Sequence, residues 1–145
     1  MQWSQLKHRI EEQFAPALGG RLQIHYTVYR NLTEGDGRAW LTWDKEELFS
    51  RADMPSREKL DAPFAPDAEF YDSARDLLGA LHDYLRTPFA ELLGSPEPLV
   101  RALALADRRL GRRRFEKLTS TDVAHPLAQR AYALRAAAEN WPRLA

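Results

Sequence analysis

The chain has 145 residues, 21 of them Lys or Arg and 21 Asp or Glu, for a formal net charge of zero, and it has no cysteine. A domain of this length can bury roughly two thirds of the surface its unfolded chain exposes, and 44% hydrophobic residues with four Trp, five Tyr and six Phe exclude the composition of a disordered chain. The missing cysteines exclude a disulfide framework, a thiolate metal site and a Cys nucleophile, and fit a reducing compartment.

The opening MQWSQLKHRIEEQF carries charges every few residues, unlike a signal peptide, and nowhere do eighteen apolar residues run uninterrupted. The expectation is a cytoplasmic protein of one domain, residues 1–145, with no membrane partner.

Trp3, Leu6, Ile10 and Phe14 recur at helical spacing, so a helix is expected from Ser4, as its cap, to about Ala15. RLQIHYTVYR then switches to period two and reads as a strand from Arg21 to Asn31, and TEGDG turns the chain into a second strand, RAWLTWD. Such a hairpin is marginal in water unless one face is covered. Pairing across the loop assigns Leu22, Ile24, Tyr26 and Val28 with Ala39, Leu41 and Trp43 to the covered face. The other face then carries His25, Thr27 and Tyr29 with Trp40, Thr42 and Asp44. KEELFSRAD reads either as a short helix or as an extension of the strand, and three prolines punctuate the acidic connection to Asp67.

Helical periodicity returns with Phe70, Ala74, Leu77, Leu78, Leu81 and Leu85 and stops at Thr87-Pro88; PFAELLG reads as one helical turn. Ser95-Pro96 is a good helix start, with Leu99, Leu103, Ala106 and Leu110 as its buried line and a break expected at Gly111. The last helix should begin near Pro126, turn Leu127, Ala131, Leu134 and Ala138 inward, and finish before Pro142. The predicted class is α+β: an antiparallel β-hairpin, or a three-stranded sheet, packed against four to five helices.

Two surfaces stand out. In DRRLGRRRFEK, Asp107 to Lys117, six of eleven residues are basic; from Leu99 to Leu118 the net charge is +5, whereas from Asp44 to Asp83 it is −6. Arg108, Arg109, Arg112, Arg113 and Arg114 are therefore candidates for an anion- or nucleic-acid-binding surface, since guanidinium groups neutralise phosphates and stack on unpaired bases. The structural reading sets them at a helix C-terminus, where cations favour the dipole, paired with the acidic middle segment.

The second surface is the hairpin face, with His25, Thr27, Tyr29, Trp40 and Asp44 as candidate ligand- or partner-binding residues. If His25 lies roughly opposite Asp44, the carboxylate would fix the imidazole tautomer and raise its pKa. Cross-strand pairs of these types also stabilise sheets without any function. Asp72, Asp76 and Asp83 share a helical face that reads as a solvated stripe. The four histidines have no metal-ligand spacing, and no phosphate-binding glycine loop or nucleophile motif is present. No catalytic residue, cofactor or metal is assigned.

The blocks MQWSQLKHRIEE, GRLQIHYTVYR, GRAWLTWDKEE, LVRALALADRRLGRRRFEKL and HPLAQRAYALRAAAE resemble an uncharacterised family of short bacterial cytoplasmic proteins; the stretch from Phe49 to Gly94 carries none of the resemblance. The resemblance implies a single bacterial domain and supplies no activity. The expected function is a non-enzymatic protein-interaction module, with another protein or a second copy of the chain as partner. The alternatives are an RNA- or DNA-binding protein using the arginines, and a small enzyme or ligand sensor around His25 and Asp44.

Overall fold

A computed structural model of the chain describes residues 2–28, 37–52 and 74–144. Helix α1 (Trp3–Glu11) buries Leu6 and Ile10, but its cap position is Gln2, with no side-chain bond, and Ser4 lies inside the first turn. The helix also stops at Glu11, short of Ala15. Phe14 is buried all the same, in extended backbone that bridges to Asp107. A 3-10 turn (Pro16–Leu18) and Gly20, whose φ of 76° suits a residue without Cβ, lead into the sheet.

Three antiparallel strands, β1 (Leu22–Val28), β2 (Gly37–Trp43) and β3 (Glu46–Ala52), lie in the order β1-β2-β3. Leu22 pairs with Trp43, Ile24 with Leu41 and Tyr26 with Ala39, as the alternation of apolar residues requires. Within KEELFSRAD, Glu46–Ala52 form the third strand. The turn before it is closed by Asp44 and Lys45, both at positive φ (49° and 71°), the conformation that a two-residue hairpin turn demands and that Asn-Gly usually supplies. Arg21 holds Asp44 in this turn, donating from Nε and Nη2 to the two carboxylate oxygens at 2.8 and 2.7 Å.

Helices guard the sheet edges with side chains. The outward N–H of Ile24 donates to Glu11 Oε2 (2.9 Å) and its carbonyl accepts from Lys7 Nζ (2.6 Å). On the opposite edge the Leu48 carbonyl accepts from Arg130 Nη1 (2.7 Å). Edge groups satisfied in this way are closed to pairing with another chain at those positions.

The remaining helices are α2 (Ala74–Arg86), α3 (Phe89–Leu92), α4 (Pro98–Ala106), α5 (Arg112–Glu116) and α6 (Pro126–Glu139). Helix α1 packs on β1, α2 on β2 and β3, and α4 lies between α2 and α6. Beyond the predicted stripe, α2 also buries Ala80 and Tyr84. Phe70 lies outside the described residues.

Helix α4 starts at Pro98 behind Glu97 rather than at Ser95-Pro96, and it ends at Asp107, which turns extended (φ −69°, ψ 135°). The break expected at Gly111 thus falls four residues earlier, and Gly111 instead caps α5. Two apolar clusters result. The larger joins the sheet to α1, α2 and α4; the smaller gathers Leu110, Phe115, Leu118 and Val123 against Tyr132 and Ala136 of α6. The fold is α+β, with six helices among the described residues. None of those helices is long and apolar enough to cross a membrane.

Candidate functional site

Asp107 organises the arginine-rich segment. Its backbone runs beside residues 13–15, with Ala15 N–H donating to the Ala106 carbonyl (2.8 Å) and Arg108 N–H to the Gln13 carbonyl (2.7 Å). That pairing draws the chain out of helix and carries the Asp107 side chain to complete burial. A buried carboxylate must be fully bonded. It accepts from Tyr84 Oη (2.5 Å), from the Arg109 N–H (2.8 Å), and from Arg109 Nε and Nη2 (3.0 and 2.8 Å). Burial, and after it the Asp107 carboxylate, pushes the Tyr84 phenol far above its ordinary range, so it stays a donor. The hydrogen bonds from the Arg109 guanidinium to the Asp107 carboxylate raise the Arg109 pKa.

Arg135 of α6 holds this turn from beneath. Only 3% of its side chain is exposed. Nη1 donates to the carbonyls of Leu105 (3.0 Å) and Asp107 (2.8 Å), Nη2 to that of Leu110 (2.8 Å), and Nε to Glu139 (3.2 Å). Leu105 lies in the last turn of α4, where carbonyls have no helical partner. Desolvation lowers the Arg135 pKa, against the opposing pull of Glu139.

The frame leaves the other arginines outward. In α5, Phe115 is buried and stacks on Tyr132 (4.6 Å, 5° between planes), so Arg112, Arg113 and Arg114 point to solvent with Arg108 and Arg109 nearby in sequence; all five are exposed. Arg112 pairs with Glu116 (2.8 Å). The guanidinium carbons of Arg109 and Arg114 lie 5.1 and 5.3 Å from the ring centre of Phe89 in α3, within cation–π range. Asp107 and Glu116 are therefore matched by Arg109 and Arg112. Arg108, Arg113, Arg114 and Lys117 have no carboxylate partner among the described residues.

The acidic middle segment does not supply such partners among its described residues, for Asp44 pairs with Arg21, Glu47 with Arg38, and Asp83 with Arg86. Asp72 and the stretch 53–73 lie outside the described residues. Arg108 and Arg109 sit just beyond the C-terminus of α4, whose C-cap position is Asp107, whereas Arg112, Arg113 and Arg114 open α5.

On the outer sheet face the register is decisive. His25 pairs with Trp40 and Thr27 with Arg38, while Asp44 stands at the β2–β3 turn on Arg21. His25 and Asp44 are not opposed, which corrects the expected imidazole–carboxylate pair. Instead the His25 ring stacks on Trp40 (5.0 Å, 20°), its Nε2 shares a 2.9 Å hydrogen bond with Thr42 Oγ1, and Arg38 lies over Trp40 at 4.4 Å. Arg38 also pairs with Glu47. Thr27 is exposed, Trp40 half-buried, and Tyr29 lies outside the described residues. This ladder is cross-strand packing of the kind that stabilises sheets.

Burial, and then the ammonium of Lys7, depress the His25 pKa below its ordinary 6.5, with Glu11 opposing; the expected rise is reversed. A folded pKa below the unfolded one means that the unfolded chain binds more protons between the two values, so stability falls as pH drops through that window. An NMR titration should place the His25 midpoint below 6.5, and His25→Gln should flatten the dependence of stability on pH there. A midpoint at or above 6.5 would contradict the desolvated stack.

An apolar cleft of about 20 Å³ opens between Leu22, Trp43 and Leu48 of the sheet and Leu103, Leu127 and Leu134 of the helices. That is space for about one water, far less than a ligand pocket. Among the described residues no three His, Asp or Glu side chains converge on a position for a metal ion.

Sequence reading missed Asp107, Arg135 and Phe89 as parts of this site. Only Asp107 carried a signal, as the acid that directly follows an apolar helix and precedes a basic run. The SF0329 protein family matches the chain over residues 2–65 and 60–136. No curated protein and no solved structure matches it.

Proposed function

This chain belongs to the SF0329 protein family, and we propose that it is a non-enzymatic interaction module that docks an acidic segment of a partner protein on its arginine-rich surface. The observation that carries the reading is that Arg108, Arg113 and Arg114 are exposed, without a carboxylate partner among the described residues, on a frame fixed by buried Asp107 and Arg135. Rigid placement lowers the ordering cost of binding, and a positive patch selects an acidic partner by complementarity. The absence of cysteine supports a cytoplasmic setting. The resemblance to bacterial proteins supports a bacterial one.

Nucleic acid is the second reading, favoured by exposed guanidinium groups that lie over an aromatic ring, since arginine and aromatic side chains stack on unpaired bases. The neutral chain and the occupation of Phe89 by the protein's own arginines favour the acidic protein.

Fluorescence anisotropy with labelled polyglutamate, and separately with mixed-sequence single-stranded RNA and DNA, decides between them at low and physiological salt. Polyglutamate should bind, more weakly as salt rises, and the triple change Arg112→Ala, Arg113→Ala, Arg114→Ala should abolish binding. Failure of polyglutamate to bind at low salt would end the acidic-partner reading, and tighter binding of RNA or DNA would replace it with the second.

A further inference from the structure

The five arginines of the surface are not equivalent. Arg109 has both Nε and Nη2 on the buried Asp107 carboxylate, and Arg112 has Nε on Glu116, so each is already matched by an opposite charge. Arg114 is different. Its guanidinium lies over the ring of Phe89, and no hydrogen bond or ion pair with a described residue uses its N–H groups.

A guanidinium that lies over a ring and makes no hydrogen bond to the protein keeps its N–H groups available, and these are the part of arginine that grips a carboxylate in fork geometry. Phe89 is half-buried in α3 and packs against both apolar clusters, so the platform is fixed by the core. Arg109 shares the same ring. Its charge, matched by Asp107, lets a second guanidinium sit close by without full repulsion.

Resting on the acidic-partner reading, we propose that Phe89 is the positioning residue of the arginine surface. It presents the N–H groups of Arg114 to the carboxylates of the partner, while Arg109 and Arg112 are engaged by Asp107 and Glu116. No sequence signal marks Phe89, because α3 is separated from α5 by a whole helix and the contact exists only in the fold.

Phe89→Leu removes the platform and leaves every charge in place, which separates positioning from simple attraction. Polyglutamate should bind Phe89→Leu about two- to five-fold more weakly, as expected for a lost exposed cation–π contact, with an unchanged dependence on salt. Phe89→Trp, a better platform, should restore or exceed the original affinity. Arg114→Ala should cost about ten-fold or more, as for a lost hydrogen bond to a charged group, and should weaken the salt dependence; Arg112→Ala should cost less than two-fold.

Each protein is first checked by far-UV circular dichroism. Should Leu at position 89 fail to fold, the Trp variant and the comparison of Arg114→Ala with Arg112→Ala carry the test. Equal losses for Arg112→Ala and Arg114→Ala, or unchanged affinity in a folded Phe89→Leu, would overturn the assignment while leaving the acidic-partner reading intact. Absence of polyglutamate binding by the unaltered protein would remove both.

Discussion

Asp107→Ala should destabilise the protein by about 3 kcal/mol, the lower end of the range for breaking a buried charged pair. The carboxylate is wholly buried and accepts four hydrogen bonds. Its loss strands the Tyr84 hydroxyl, on a residue only 1% exposed. Arg109 is 42% exposed at its side chain, so it can rotate outward and recover hydration, which is why the upper end of the range is not reached.

Asp107→Asn keeps the shape and one acceptor oxygen but turns a donor toward Tyr84 and Arg109; it should cost roughly half as much. Urea unfolding followed by far-UV circular dichroism reads the effect as a lower midpoint with an unchanged slope. A midpoint for Asp107→Ala that implies under about 1 kcal/mol would mean that the buried carboxylate contributes little net energy. The change also reaches function. With Asp107 gone, Arg109 becomes an unmatched cation on the same surface, so the frame weakens while the local charge rises.

What could be read from the sequence follows from the range of the physics involved. The two faces of the hairpin were legible, because period-two alternation from Leu22 to Trp43 is a local property and burial of one face follows from it. The opposition of His25 and Asp44 was not, because register depends on the connection between the strands. The third strand was obscured by its turn, since Asp44-Lys45 takes positive φ without the glycine or asparagine that announces such turns.

The helix of PLVRALALA was legible, but its end was misplaced, because Asp107 leaves helix to pair with Phe14, more than ninety positions away in sequence. At the arginine surface the density of basic residues was legible, but neither which charges point outward nor which of them are matched, since Asp107 is an immediate neighbour that tertiary pairing buries and Phe89 comes from a different helix. In α6 the expected inward line of Leu127, Ala131, Leu134 and Ala138 was only partly right. Alanines on nearly every side leave no single apolar face, and the fully buried residues are Leu127, Ala128, Tyr132, Arg135 and Ala136.

Arg135→Met is expected to cost about 2–4 kcal/mol, and two opposing effects decide its sign. Methionine keeps much of the apolar stem and removes the penalty of desolvating a guanidinium, the effect that lowers the pKa of Arg135; on that ground alone the change would stabilise. Against it stand the three carbonyls of Leu105, Asp107 and Leu110, which lose their charged donor; that of Asp107 keeps the Leu110 N–H (3.0 Å), while the other two cost roughly 1–3 kcal/mol apiece where water cannot replace the donor.

Arg135 also lies at the negative end of α4, where a cation is favoured. The apolar gain is a single term and the losses are several, so destabilisation should win. Arg135→Lys should recover less than half, because an ammonium cannot span the carbonyls of a turn and a helix end with the planar fork that guanidinium provides. Urea midpoints of the two variants test this, and a methionine variant as stable as the original would show that the desolvation penalty had already cancelled the hydrogen bonds. The same variant separates frame from surface. It changes none of the exposed arginines, so weaker polyglutamate binding by folded Arg135→Met, with the salt dependence preserved, is the result expected if their placement rather than their number sets the affinity.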